Sequence, residues 1–475
     1  MVKAAARKPS RRSKPEALVR VWEDDPQSGA PPVERPVPVL PKAPMKITLD
    51  VAAPAAGLYE PGTPEFRYWV AAETLERAVG FWSSVLPKGT TWQRGPDLTV
   101  RLDAADRLNA LYNRENLVFF HATVGGVTVY TGESPDVVAH ELGHAVLDAL
   151  RPQLWDAMSH EVAAFHESFG DMSAMLCALQ LPSMRQEVLA QTGGLYRASR
   201  LSRVAEQLGW AIRQRQPCAA DPDCLRNAVN CFFYQPATQL PVFSPAGQLS
   251  SAPHNYSRVF TGAFLETFAG MVVLTSRRPT ADDLHAVGVD LARLLVAAVQ
   301  AAPVVPAYFA QVAAHLLEAD RRLFGGKYAT AVANGFRVKG ILSLASLAAA
   351  PLAATPPAAR ATRGRAGSDR EELPRVVLAG RDLGLDDRPV LCRAAGQSRR
   401  LSVNASALDG GTSVPPAAEE VARDFLRELL VRGQVRLPGR PSLADDDTLL
   451  ASSPTHELVE EGEALAVVRR SFEAR

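Results

Sequence analysis

The stretch Asp136-Val137-Val138-Ala139-His140-Glu141-Leu142-Gly143-His144-Ala145-Val146-Leu147-Asp148 decides how this chain is read. It belongs to an apolar segment, Val137 to Leu150, whose spacing predicts a helix. Residues four apart on a helix sit one turn apart on the same face, so His140 and His144 can aim both imidazoles at one Zn²⁺. Glu141 lies beside them, placed to take a proton from a zinc-bound water. The chain has nine His among 475 residues; a chance His-Glu-x-x-His is expected in on the order of 1 in 100 chains of this kind. Either histidine alone reads as a satisfied core residue. The pair around Glu141 reads as a zinc site, one Zn²⁺ per chain.

A catalytic zinc takes three protein ligands and keeps one position open. The segment from Met158 through Asp171 continues its apolar spacing to Met175 and Leu176, which predicts a second helix packed on the first. Glu167 and Asp171 are four apart and share a face. That suits a ligand carboxylate one turn from an acceptor for the outer ring N–H of a ligand histidine, here His140. His160, Glu161 and His166 compete for the third place. His160 falls near the Glu167 face two turns back, whereas Glu161 and His166 point elsewhere if Glu167 faces the metal. Glu167 is the favoured third ligand, with His160 and Glu161 as the open alternatives.

Together these residues resemble the thermolysin-like metallopeptidases, the gluzincins. That family's helix carries D-V-V-x-H-E-x-x-H-A-V-x-D, and its third ligand is the Glu of an E-x-x-x-D on the next helix, matched by Glu167 and Asp171. The gap from His144 to Glu167 is longer than in thermolysin itself, and the loop from Arg151-Pro152 to Trp155 can absorb the excess. Upstream, Asn109-Ala110-Leu111-Tyr112 and Leu117-Val118-Phe119-Phe120 resemble the family's N-A-F-W segment and following strand, where the Asn109–Ala110 backbone would bind peptide as an added antiparallel strand. Pro64 to Leu86 resembles the preceding helix. Downstream, Pro253-His254-Asn255-Tyr256-Ser257 resembles the segment whose His steadies an oxyanion, and Val332 to Gly340 the end of the helical lobe. The likeness spans Ile47 to Leu342 and is strongest from Asn109 to Met175. It implies an α+β fold of two lobes and a zinc-dependent endopeptidase acting on peptide or protein substrates. His140, His144 and Glu167 would hold the metal and Glu141 would be the general base. Asp171 would support His140. His254, with Tyr256 beside it, would donate to the oxyanion, and Asn109 and Ala110 would hold the substrate.

The chain also departs from the pattern. Leu249 stands where the family carries an Asp that charges the oxyanion His, and the downstream Asn is replaced by Tyr256. Asp136 matches a family calcium ligand, but Ala178 stands in place of its partner, and Leu179 to Gly194 lacks the clustered carboxylates Ca²⁺ requires. No double calcium site is therefore expected, and Ser134 or Asp136 reads as a helix N-cap before or beside Pro135. No G-x-M-E-N-type segment precedes His140, which disfavours an aminopeptidase. The reading of a different class is a zinc-binding but non-hydrolytic interaction protein. The altered surroundings of His254 favour it, and Glu141, which is no ligand, argues against it.

A chain of 475 residues with 47% hydrophobic content can build two or three cored domains, and a formal net charge of +1 predicts no general attraction to nucleic acid. No run of 18 apolar residues occurs, so no transmembrane helix is predicted. Met1 to Arg20 is basic without the apolar core of a signal peptide, which points to a cytoplasmic protein or one exported by another route. Residues 1–44 read as a solvated basic and Pro-rich tail. Residues 45–178 read as a small β-containing lobe with the zinc-site helices, its family β-region shortened to Met45–Ala56. Residues 179–342 read as a mainly helical lobe, with Pro279 to Phe324 periodic. A linker follows at 343–374. The last unit, 375–475, reads as a small accessory module without chemistry, with strands at Arg375–Ala379 and Arg399–Val403, a helix at Ala417–Arg432 and a further apolar stretch at Glu463–Val468. Cys218, Cys224 and Cys231 allow one local disulfide, such as Cys218–Cys224, or remain thiols. Arg197, Arg200 and Arg203 offer a substrate-binding arginine or a solvated helix face.

Overall fold

The computed structural model describes residues 17–192, 195–343, 372–396, 417–439 and 454–474. Two capped helices frame the first half. Thr63 accepts from Phe66 N at the start of α1 (Pro64–Val85), and Ser134 accepts from Val137 N at the start of α2 (Pro135–Leu150). Each has Pro at its first turn, where the missing N–H is not needed. Ser134 is thus the cap, and Asp136 instead receives Ala205 N at 3.0 Å. After the short α3 (Gln153–Asp156), the wholly buried α4 (His160–Ala178) crosses α2. The crossing is close because it is built on glycine: a Cβ on Gly143 would lie 2.7 Å from the Ser173 Cβ, and one on Gly170 2.6 Å from the His140 ring. The second half is helical, with α5 (Pro182–Thr192), α6 (Glu206–Arg215), α7 (Pro253–Thr275), α8 (Ala281–Ala301), α9 (Tyr308–Phe324) and α10 (Ala329–Val338). Although the sequence has no unbroken apolar run of 18, α7 and α8 are long and apolar enough to cross a membrane, and most of each is buried inside the fold.

The sheets are small. Strands β1 (Leu18–Val21) and β2 (Val33–Pro36) form an antiparallel hairpin. Strands β3 (Lys46–Leu49), β4 (Asp97–Arg101), β5 (Ala110–Tyr112) and β6 (Asn116–Phe119) lie in the order β5-β6-β4-β3. The hairpin of β7 (His121–Val124) and β8 (Val127–Tyr130) turns through Gly125 and Gly126, both at positive φ, the backbone a two-residue turn of matching twist requires. The two-residue β9 (Ala157–Met158) leads into α4, and β10 (Arg203–Val204) pairs β11 (Arg226–Asn227). A last sheet has the order β12-β13-β16-β15-β14, formed by β12 (Arg375–Ala379), β13 (Pro389–Ala394), β14 (Val435–Arg436), β15 (His456–Glu461) and β16 (Ala464–Arg469). The chain then returns to the first sheet as β17 (Phe472–Glu473), antiparallel to β5.

The class is mixed, helices with small sheets, in line with the α+β expectation. Two differences from the sequence reading stand out. Residues 17–44 are not a solvated tail: Val19 and Val21 are fully buried, and Asp25 accepts a 2.6 Å hydrogen bond from Ser134. The alternation at Leu18–Val21 is that of a half-buried strand, obscured by the Pro-rich composition around it. The unit from residue 375 onward is not separate from β9 and α4 either. Helix α11 (Ala418–Val431) packs on its sheet, and their core of Leu378, Val390, Phe425 and Leu426 takes in Met158 and Ala163. Strand β9 joins that sheet beside β13. The strand expected at 399–403 lies outside the described residues, as does most of the linker.

Candidate metal centre

Helix α2 delivers His140 and His144 one turn apart, and α4 brings Glu167 against both. Glu167 Oε2 lies 3.5 Å from His140 Nε2 and 3.7 Å from His144 Nε2. A tetrahedral zinc with bonds of about 2.0–2.1 Å separates its ligand atoms by about 3.4 Å. These three atoms are buried and have no hydrogen-bond partner, a costly state unless another group satisfies them. Both Glu141 carboxylate oxygens are also buried without partners, and a Glu141 oxygen falls within 4.8 Å of ring nitrogens of both histidines. Glu167 is the closer-set oxygen and therefore the better third donor.

The outer edges of the histidines are held. His140 Nδ1 meets Asp171 Oδ1 at 3.0 Å. Arg226, on β11, forks onto the same carboxylate with Nε–Oδ2 at 3.0 Å and Nη2–Oδ1 at 2.8 Å. His144 Nδ1 meets His166 Nδ1 at 3.0 Å, so one ring donates and the other accepts. With His144 as donor, its Nε2 lone pair faces Glu167 and the site. Burial suits this neutral pair, since it pushes the His144 pKa down to about 3, with His140 and His254 adding to the effect, and that of His166 well below normal. Burial opposes charge on His140 too, but the Asp171 and Glu167 carboxylates beside it outweigh this and raise its pKa to about 9. Burial would raise Glu167 and Asp171. The histidines His254 and His144 overcome it for Glu167, and Arg226 with His140 for Asp171, so both stay below the usual carboxylate range. Glu141 goes the other way: burial lifts its pKa well above normal, and the Glu167 and Glu473 carboxylates add to the rise. A carboxylate whose proton affinity is raised in this way is suited to proton transfer.

The open alternatives for the third ligand are elsewhere. His160 Nε2 pairs with Glu428 Oε2 of α11 at 2.8 Å. Glu161 accepts from Tyr234 Oη at 2.7 Å and Phe309 N at 2.8 Å. Tyr256 is also turned away, donating to Gln235 O at 2.7 Å inside the core, so it cannot serve an oxyanion. His254, at the start of α7, does face the centre, with Nε2 3.1 Å from Glu167 Oε2. Its Nε2 meets the carbonyl of Glu473 at 2.5 Å.

Ala110 opens β5, with Asn109 just before it, and β17 occupies the free edge of that strand. Ala474 N donates to Ala110 O at 2.9 Å, and Asn109 Nδ2 donates to Glu473 Oε2 at 2.7 Å. The last residues of the 375–475 unit, read as lacking chemistry, therefore border the centre, with Phe472 on His144 and the Glu473 carbonyl at His254. Arg226 was not singled out from the sequence, and His166 was weighed only as a competing ligand, not as the partner of His144. Arg226 sits in a Cys-bearing loop with no helical or strand period to mark it, whereas Arg200 pairs with Asp24 and Glu187, and Arg203 with Glu206. The cysteines Cys218, Cys224 and Cys231 are all free, so the local disulfide is not formed. Asp136 is not isolated: Asp24, Asp136 and Glu206 bring carboxylate oxygens within 4.8 Å of one another. None of the three lies within 179–194, and the cluster joins residues far apart in the chain.

No family model matches this chain, and neither does any curated protein. Among solved structures it is similar to the precursor of protealysin, a metalloproteinase from Serratia proteamaculans, at 16% identity and a TM-score of 0.37, over 70% of this chain and 90% of that one.

Proposed function

We propose that this protein is a zinc-dependent endopeptidase, with His140, His144 and Glu167 as metal ligands and Glu141 as general base. The observation that carries the reading is the set of three buried, partnerless donor atoms at 3.5 and 3.7 Å, with the partnerless Glu141 carboxylate beside them. Zinc held there would activate water and polarise a carbonyl. The protein's own residues supply the rest. Glu141 would take a proton from the attacking water and pass it to the leaving amine, a task suited to a carboxylate whose pKa burial raises well above normal. His254 Nε2 would donate to the carbonyl oxygen as charge develops on it. Arg226 and the Asn109–Ala110 edge would align the peptide as an added strand. Asp171 would keep the His140 proton on Nδ1 and its Nε2 lone pair toward the metal. The non-hydrolytic alternative is weaker, because a purely structural zinc takes four protein ligands and has no use for a partnerless buried Glu141.

The test is hydrolysis of an unstructured protein substrate by wild type and Glu141→Gln, each with its zinc content measured. The reading expects Glu141→Gln to keep zinc and to lose activity by at least about a hundredfold, the scale of a lost general base. Equal hydrolysis by both proteins would refute the assignment of Glu141.

A further inference from the structure

The edge that would receive a substrate already carries a strand of the same chain. Phe472 pairs with Tyr112 and Glu473 with Leu111 in antiparallel register. Past the strand, Ala474 N donates to Ala110 O at 2.9 Å, and Arg226 Nη1 donates to Ala474 O at 3.0 Å. The intervening carbonyl, that of Glu473, meets His254 Nε2 at 2.5 Å. Successive carbonyls are thus held by the two groups assigned above to a bound peptide. The Glu473–Ala474 bond lies where they would hold a bond for attack.

Side chains reinforce the placement. The Glu473 carboxylate is received by Asn109 at 2.7 Å and by Arg107 at 3.3 Å. The Phe472 ring stacks on His166 with centroids 3.8 Å apart and on His144 at 5.0 Å, and meets Trp155 edge-on at 5.3 Å. Phe472, Glu473 and Ala474 are each only 2% exposed. The strand is also anchored upstream. Arg469 donates to Trp155 O at 2.9 Å, Arg470 N to Thr455 O at 2.7 Å, and the His160–Glu428 contact ties α11 to α4. A strand tethered this close acts at a high effective concentration.

Resting on the peptidase reading, we infer that the segment Phe472–Ala474 is a built-in inhibitor, bound as a pseudo-substrate strand along β5, so that the chain folds with its cleft closed to peptides until this segment is displaced. The segment also reports what the cleft takes: an extended peptide with an acidic side chain against Arg107 and Asn109.

The test uses the full chain and two variants that loosen the segment without touching the metal-site residues. Glu473→Lys sets a cation against Arg107 and Asn109, and Ala474→Pro removes the N–H given to Ala110. A fluorescent peptide of sequence Ser-Phe-Glu-Ala-Arg is titrated against each protein in the Glu141→Gln background, and hydrolysis of an unstructured substrate is measured with Glu141 present. Binding should tighten roughly tenfold or more in both variants, the scale of one or two lost hydrogen bonds in the closed state, and hydrolysis should rise in parallel. Equal peptide binding by the parent chain and the variants would overturn the inference. Unmasked binding with no hydrolysis would uphold the closed cleft and count against the peptidase reading instead.

Discussion

Replacing Asp171 by Asn isolates the support behind the proposed centre. Asp171 takes four hydrogen bonds through two oxygens: Oδ1 from His140 Nδ1 and from Arg226 Nη2 and Nε, and Oδ2 from Arg226 Nε. An Asn has one acceptor oxygen and one donor NH₂. If the oxygen stays with Arg226, the NH₂ faces His140 Nδ1 and favours the tautomer whose Nε2 carries hydrogen and cannot ligate. If the oxygen serves His140, the NH₂ meets the guanidinium. Arg226 is 7% exposed, so in either case its charge loses its partner out of reach of water. Removing one member of a buried ion pair costs about 3–5 kcal/mol. The bonds an Asn retains place this case at the low end, about 3 kcal/mol in the metal-free protein. Loss of a carboxylate behind a ligand histidine lowers metal affinity about 10- to 100-fold. Urea unfolding of chelator-treated protein gives the first quantity, and competition with a chromophoric chelator gives the second. Zinc affinity within a factor of two of wild type would refute the role assigned to Asp171, even if stability fell.

Other predictions follow from packing and buried charge. Gly170→Ala sets a Cβ 2.6 Å from the His140 ring; it should cost about 1–3 kcal/mol as overpacking and weaken zinc binding, whereas unchanged values for both would show that α2 and α4 can part freely. Burial raises the Glu161 pKa from 4.5 to about 7, against its bonds from Tyr234 and Phe309. Because the folded state binds this proton more tightly, the contribution is fully present below about 4.5 and is lost as pH rises to about 7, on the order of 3 kcal/mol in all. Glu161→Gln should therefore be less stable but have a flatter stability profile from pH 4.5 to 7, and parallel profiles would contradict this. Burial among Asp25, Asp136 and Asp24 raises Glu206 to about 10. Glu206→Gln should raise the melting temperature at pH 8, because the folded state no longer has to take up a proton that the unfolded chain lacks, and a lower melting temperature would mean that the carboxylate keeps a compensated charge in the fold.

Much of the centre was legible because it is local. His140, Glu141 and His144 lie within one helical turn, and Glu167 and Asp171 within another, so periodicity alone sets their faces. Gly143 and Gly170 carried a signal that periodicity does not weigh, since their value lies in the neighbouring helix they admit. Contacts that cross the chain could not be read in this way. Arg226 reaches Asp171 from 55 residues away, and Asp24 joins Asp136 and Glu206. The β17 pairing links residues that no spacing rule connects, because strand partners depend on the path of the whole chain. Composition misled in the N-terminal region, where Pro-rich sequence surrounds a four-residue strand whose two valines are core.

The central claim is a zinc ion held by His140, His144 and Glu167, and metal stoichiometry tests it most directly. Purified wild type and Glu141→Gln should each carry one zinc per chain, while His144→Ala and Glu167→Ala, if folded, should carry much less. A folded wild-type protein that takes up no zinc from excess, or a Glu167→Ala variant that binds it as tightly as wild type, would contradict the account.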